Sequence, residues 1–128
     1  MVVWSVDDDA DDQLLIRLAF TSLRPAATVS ALDSGTALID QIRQANPLPS
    51  VLLLDLNMPL MSGFELLTWL RSRADYDALP IVVLSTSSLP EDRERALALG
   101  ANQFVTKPSS LSDLIRLAKT ITTQWVVG

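Results

Sequence analysis

Val51-Leu52-Leu53-Leu54-Asp55-Leu56-Asn57-Met58-Pro59 decides how the rest of this chain is read. An almost uninterrupted apolar run delivers one carboxylate, Asp55, to the point where the run stops and a Pro-marked loop begins. Val and Leu without polar alternation predict a strand buried on both faces, the habit of parallel sheets. A carboxylate inside such a strand is costly to desolvate. At the strand's carboxyl end it stands where open α/β sheets hold their ligands, so Asp55 is a candidate for chemistry.

Working outward, apolar runs alternate with helix-period segments. Val2–Val6 reads as a strand, followed by a helix from about Asp9 to Leu23 with Leu14, Leu15, Leu18 and Phe20 as its apolar positions. Thr28–Leu32 is a shorter strand, and Asp33-Ser34-Gly35 leads into a helix carrying Leu38, Ile39 and Ile42. Pro47 and Pro49 break the chain before the Val51–Leu54 strand. Ser62-Gly63-Phe64-Glu65 matches a capping box at a helix start. Pro80 opens the strand Ile81–Leu84. Ser88-Leu89-Pro90-Glu91 matches a second capping box, for a helix that stops at Gly100. Gln103–Thr106 is a last strand, and Ser110-Leu111-Ser112-Asp113 caps a final helix with Leu114, Ile115, Leu117, Ala118 and Ile121. Five βα units imply an α/β fold with a mostly parallel sheet and helices on both faces.

With 128 residues, 48% of them hydrophobic, the chain has the material for one domain with a real core. No linker or repeat divides it. The first predicted strand begins within a few residues of Met1, so no signal peptide is expected, and no apolar run is long enough to span a bilayer. Cys and His are both absent, which removes disulfides, thiolates and imidazole from the available chemistry. A cytoplasmic location fits these absences. The net charge of −5 and the scattered Lys and Arg residues argue against nucleic-acid binding.

A parallel sheet places every strand's carboxyl end at one edge, and here those ends are consistently polar. The first strand ends in Asp7-Asp8-Asp9, the third in Asp55, the fourth in Ser85-Thr86-Ser87, and the fifth in Thr106-Lys107-Pro108. Carboxylates brought to about 5 Å of one another repel by on the order of 3 kcal/mol per pair at an effective dielectric of roughly 20. A hard divalent cation, Mg²⁺ above all, would offset this with carboxylate, carbonyl and water ligands. Lys107 would supply a fixed positive charge. Carboxylate, cation, hydroxyl and lysine together form a clamp for the equatorial oxygens of a phosphoryl group in transfer. Asp55 would be the nucleophile, since carboxylates form aspartyl phosphates.

Simpler roles compete at several positions. Asp9, Asp11 and Asp12 fall in the first turn of a helix, where acidic residues complement the macrodipole, and that reading is preferred for all three. At Asp7 and Asp8 metal binding outweighs an N-cap role. Thr86, Ser87 and Ser88 suit a loop or cap, leaving Ser85 as the functional hydroxyl. Asp33 is most simply a turn or cap residue, and Phe104 and Trp125 are by default packing residues.

At this point the sequence resembles the receiver domain of two-component response regulators, over essentially its whole length. The resemblance rests on Val6-Asp7-Asp8-Asp9, Asp55-Leu56-Asn57-Met58-Pro59-Leu60-Met61-Ser62-Gly63, Pro80-Ile81-Val82-Val83-Leu84-Ser85, Gly100-Ala101 and Phe104-Val105-Thr106-Lys107-Pro108. It implies a receiver domain over residues 1–128 with no output domain. The implied fold is a doubly wound, flavodoxin-like (βα)5 with strand order 2-1-3-4-5. It also implies that Asp55 is the phosphoacceptor, and that Asp7, Asp8, Asp55 and the backbone carbonyl of Asn57 hold Mg²⁺. Ser85 would be the switch hydroxyl that contacts the phosphoryl group, paired with Lys107, and the Lys107–Pro108 bond would be cis. Phe104 would be the aromatic switch, reporting through the fifth strand and final helix. Partners would be a sensor histidine kinase, a histidine phosphotransfer protein, or both, with a homodimer left open. The implied protein is not an enzyme beyond catalysing its own phosphorylation and dephosphorylation.

This chain departs from the family pattern in carrying Ser85 where Thr is commoner, Phe104 where Tyr is frequent, and the small Ser87 two residues after Ser85. The Asp7-to-Asp12 run also resembles stand-alone receivers that serve sensor kinases. Two other readings stay in view. One is a degenerate receiver acting as an interaction or dimerisation module, against which the intact Asp7, Asp8, Asp55, Ser85 and Lys107 set argues. The other is a Mg²⁺-dependent phosphoryl hydrolase, which would need a second acid/base carboxylate after Asp55, where Asn57 stands instead.

Overall fold

Alternation along the strands sorts the core into two halves. Val3, Val51, Leu53, Val82 and Leu84 join one buried cluster, while Trp4, Val6, Leu52, Leu54, Ile81 and Val83 join another. Neighbouring residues of a strand point to opposite faces, so a sheet apolar on both faces must be covered on both. The computed structural model, which describes residues 1–45 and 47–125, shows both covers.

In chain order the elements are β1 (Val2–Val6), α1 (Ala10–Thr21), β2 (Thr28–Leu32), α2 (Gly35–Ile42), β3 (Val51–Leu54), α3 (Gly63–Arg71), a 3-10 turn (Ala74–Tyr76), β4 (Ile81–Ser85), α4 (Pro90–Ala98), β5 (Gln103–Thr106) and α5 (Leu111–Trp125). The five strands are all parallel and lie in the order β2-β1-β3-β4-β5. α1 and α5 cover one face through Ile16, Ala19, Phe20, Leu114, Ala118 and Ile121. α2, α3 and α4 cover the other through Leu38, Ile42, Leu66, Leu67, Leu70 and Ala96. This is the flavodoxin-like doubly wound arrangement expected from the sequence. Residues 126–128, the end of the expected domain, lie outside the described residues. Among the described residues no helix is long and apolar enough to cross a membrane.

Three local expectations need correcting. In α1, Phe20 is buried as expected, but Leu14 and Leu18 are 55% and 45% exposed and Leu15 is exposed as well. The buried stripe is Ile16, Ala19, Phe20 and Leu23, spaced i, i+3, i+4 and i+7. Two apolar stripes interleave on this helix, and the one containing the small Ala19 packs on the sheet. At α4 the N-cap is Leu89, with no side-chain cap. The hydroxyl work falls to Ser87 rather than Ser88: its Oγ accepts from Leu89 N at 3.2 Å and donates to Asp92 Oδ2 at 2.6 Å. Finally, the cis peptide bond among the described residues is Arg24–Pro25, so Lys107–Pro108 is trans. An X–Pro bond favours trans unless its surroundings overrule it, and Lys107 N meets Ser85 O at 2.7 Å with the bond in that form.

The caps expected at Ser62 and Ser110 form, and at α2 the cap is Ser34, the neighbour of Asp33. Ser34, Ser62 and Ser110 accept from the backbone N–H groups of Ala37, Glu65 and Asp113 at 3.1 to 3.2 Å. Gly100 closes α4 at φ +108°, a left-handed turn that glycine adopts without strain.

Candidate functional site

The sheet order makes β1 and β3 neighbours at the point where the chain reverses its direction of winding, the place where such sheets bind ligands. Both ladders run one residue past their strands. Asp55 N donates to Val6 O, and Asp7 N donates to Leu32 O, each at 3.0 Å. Asp7 and Asp55 are therefore held at one edge by backbone, and both are buried. Asp8 follows in the β1–α1 turn and is exposed. One carboxylate oxygen from each of Asp7, Asp8 and Asp55 lies within 4.8 Å of the others. Three hard oxygen donors at that spacing fit a hard divalent cation.

β5 brings the balancing charge from the other side of β4. Lys107 Nζ is 2.7 Å from Asp7 Oδ2, 2.7 Å from Asp12 Oδ2 and 3.7 Å from Asp55 Oδ1. The first two are charge-assisted hydrogen bonds; the third is a Coulombic contact beyond hydrogen-bond length. Burial works to lower the Lys107 pKa, but the hydrogen bonds it donates to Asp12 and Asp7, with Asp55 behind them, outweigh it and hold that pKa above its ordinary value. Asp55 is shifted the other way from a usual ion-pair carboxylate. Burial pushes its pKa up, Lys107 pulls it down, and the nearby charges of Asp7 and Asp8 raise it further. Its one backbone hydrogen bond, from Asn57 N to Oδ1, is long at 3.4 Å.

Ser85 ends β4 fully buried, beside β3, with Oγ accepting from Ser87 N at 3.2 Å. Thr106 Oγ1 donates to Ser87 O at 3.2 Å, so the β4–α4 turn is tied to the end of β5. Phe104 is paired with Val83 in the β4–β5 register and is buried in the α3/α4 half of the core. Gly63 explains how α3 approaches the site so closely. A Cβ there would meet the Asp55 carbonyl oxygen and come within 2.7 Å of Leu56 Cα, so the first residue of α3 packs directly on the backbone behind Asp55.

Thus Asp7, Asp8, Asp55 and Lys107 come together as the strand-end pattern anticipates, with Asn57 in the loop just after Asp55 and Ser85 at the end of neighbouring β4. Two residues of α1 belong with them that the strand ends do not reveal. Asp12 binds Lys107 and does not serve the helix end alone. Gln13 Nε2 stands 2.9, 3.0 and 3.1 Å from the carbonyls of Ser5, Asp7 and Leu32, tying α1 to the ends of β1 and β2. The signal for both is positional and shows only once Ile16 is known to face the sheet. Asp12 is four residues before Ile16 and Gln13 is three before it, so each extends the buried stripe of α1 with a polar residue.

A five-stranded parallel sheet with acidic residues at β1 and β3 and a lysine after β5 is the arrangement that the resemblance to receivers implies. The response regulator receiver domain model matches residues 3–119, and the chain belongs to that family. Among curated relatives, the probable methanogenesis regulatory protein FilR2 of Methanothrix harundinacea (strain 6Ac) is 32% identical, over 98% of this chain and 83% of its own length. The solved structure of the phosphorylated cyanobacterial phytochrome response regulator RcpA is 31% identical with a TM-score of 0.88, covering 98% of this chain and 94% of its own. The Mn(2+)-bound form of response regulator Rcp1 is 28% identical with a TM-score of 0.85, over the same shares of 98% and 94%.

Proposed function

We propose that this protein is a phosphoacceptor of a two-component phosphorelay, taking a phosphoryl group from a phosphohistidine donor onto Asp55. The observation that carries this reading is the meeting of three carboxylates within 4.8 Å with an ammonium 3.7 Å from the one that ends β3.

In the transfer, an Asp55 carboxylate oxygen forms the bond to phosphorus as the phosphorus–nitrogen bond of phosphohistidine breaks. The departing imidazole nitrogen keeps the bonding pair. The side chains of Asp7, Asp8 and Asp55 and the backbone carbonyl of Asn57 would hold Mg²⁺, which supplies charge neutralisation for the phosphoryl oxygens when bound. Lys107 is already at hand and needs only a small shift from Asp55 towards a phosphoryl oxygen. Ser85 would give up the Ser87 N–H and donate its own hydroxyl to another oxygen. That exchange loosens the turn that Ser87 and Thr106 tie to β5, and Phe104 lies in the core beneath it. The switched surface of β5 and α5 then reports the state to a protein partner or the chain passes the phosphoryl group onward. No outside substrate is turned over, and the partners are a sensor histidine kinase or a histidine phosphotransfer protein, in the cytoplasm. The Mn(2+)-bound Rcp1 and phosphorylated RcpA structures support the reading by kinship.

The test is phosphotransfer profiling with purified histidine kinases, each pre-labelled on its histidine. Label should move to this protein from at least one kinase and not to the Asp55→Asn variant. Transfer to both proteins alike, or to neither from any kinase, would contradict the proposal.

A further inference from the structure

Lys107 Nζ has three N–H bonds to give, and two go to Asp7 Oδ2 and Asp12 Oδ2, each at 2.7 Å. The next carboxylate oxygen, Asp55 Oδ1, lies 3.7 Å away, beyond hydrogen-bond length. The two anchors differ in kind. Asp7 belongs to the carboxylate group that fits a cation, and a cation there competes with the ammonium for the Asp7 carboxylate. Asp12 stands outside that group, with its side chain about one-third exposed, and loses nothing to a metal.

Asp12 is also not needed to cap its helix. The N-cap is Asp9, whose Oδ1 accepts from Asp11 N at 2.9 Å and Asp12 N at 3.1 Å. Asp11 and Asp12 share the first turn and complement its dipole alike, yet only Asp12 reaches across 95 residues of sequence to Lys107. A lysine ammonium rides on a flexible four-carbon stem, and its place depends on what holds its end.

We infer that Asp12 is a positioning residue for phosphoryl transfer: it anchors the Lys107 ammonium beside Asp55 when Asp7 is committed to a cation. The remaining N–H then points to the space that the incoming phosphoryl oxygen must occupy. This rests on the phosphoacceptor reading above and adds to it a residue whose charge is of the wrong sign to bind phosphate itself.

The test is the rate of adduct formation with acetyl phosphate, followed by intact mass across a Mg²⁺ series. In Asp12→Ala the rate at saturating Mg²⁺ should fall about 10-fold, less than the roughly 100-fold that a 1 Å misplacement can cost. The Mg²⁺ concentration giving half that rate should barely move. Asp12→Glu should restore most of the rate. Asp11→Asn, which removes the same charge from the same turn without touching Lys107, should keep the wild-type rate. If Asp12→Ala does not fold, Asp12→Asn carries the same comparison with a near-isosteric side chain. A saturating rate in the folded Asp12 variant equal to wild type, or a change confined to the Mg²⁺ half-saturation, overturns the inference alone. Absence of any adduct on wild type overturns the phosphoacceptor reading with it.

Discussion

Lys107 Nζ is bonded to Asp7 Oδ2 at 2.7 Å yet stops 3.7 Å short of Asp55 Oδ1. The ammonium is thus committed to Asp7 and Asp12 and only partly offsets the buried charge at the end of β3. Asp55 is consequently an ionised group at a disadvantage, with burial the largest cause of its raised pKa. A carboxylate poorly satisfied in the resting state gains from a cation or a phosphoryl group, which suits a residue that must react.

Replacing Asp55 by Asn should therefore stabilise the metal-free protein at neutral pH by about 1–3 kcal/mol, the scale of one relieved like-charge contact. The pH dependence has a definite sign. A carboxyl whose folded pKa lies above its unfolded 3.8 holds more protons folded than unfolded between those two values. Stability contributed by this group accordingly falls as pH rises through that window, and its full cost is present above the folded pKa. Urea unfolding across pH should show the advantage of Asp55→Asn shrinking as pH drops towards 3.8.

Lys107→Met keeps the bulk of the stem and removes the charge, leaving Asp7 buried without its cation. The metal-free variant should lose about 3–5 kcal/mol, as expected when one member of a buried pair is deleted. Saturating Mg²⁺ should recover part of the loss, because a divalent cation supplies the missing charge. Thermal unfolding with and without the metal measures both effects.

Gly63→Ala would force a methyl group against the backbone of Asp55 and Leu56, the latter at 2.7 Å. Backbone cannot move aside as a side-chain tip can. A loss of about 1–3 kcal/mol is expected, as for an overpacked core, with slowed adduct formation at Asp55. Unfolding and phosphorylation assays on one preparation check the pair of effects.

Leu60, next to Pro59, has φ +70° and is 104% exposed. It carries the strain of a left-handed backbone with no packing to offset it. Leu60→Gly should stabilise the fold by up to about 1 kcal/mol, the left-handed penalty less the extra freedom of Gly in the unfolded chain. Chemical denaturation resolves a change of that size.

What could be read from sequence was local or periodic. The strands and their order of alternation with helices follow from runs such as Val51–Leu54, and the site follows because a parallel sheet collects all strand ends at one edge. The Ser62 and Ser110 caps are three-residue signals and form as expected. Long-range choices are different. Nothing near Asp12 in sequence indicates a lysine 95 residues away, and its place in a first turn points to the helix end alone. Leu14, Leu15 and Leu18 are as apolar as Ile16, and only the packed sheet decides which stripe of α1 faces inward. Ser87 displaces Ser88 at α4 because Asp92 offers it a partner one turn on.

Intact mass after incubation with acetyl phosphate and Mg²⁺ tests the central claim most directly. The wild-type protein should gain a single phosphoryl group that is lost on chelation-independent alkaline hydrolysis, as an acyl phosphate must be, and Asp55→Asn should gain none. A wild-type protein that stays unmodified, or an Asp55→Asn variant that takes up the group equally, would contradict the account.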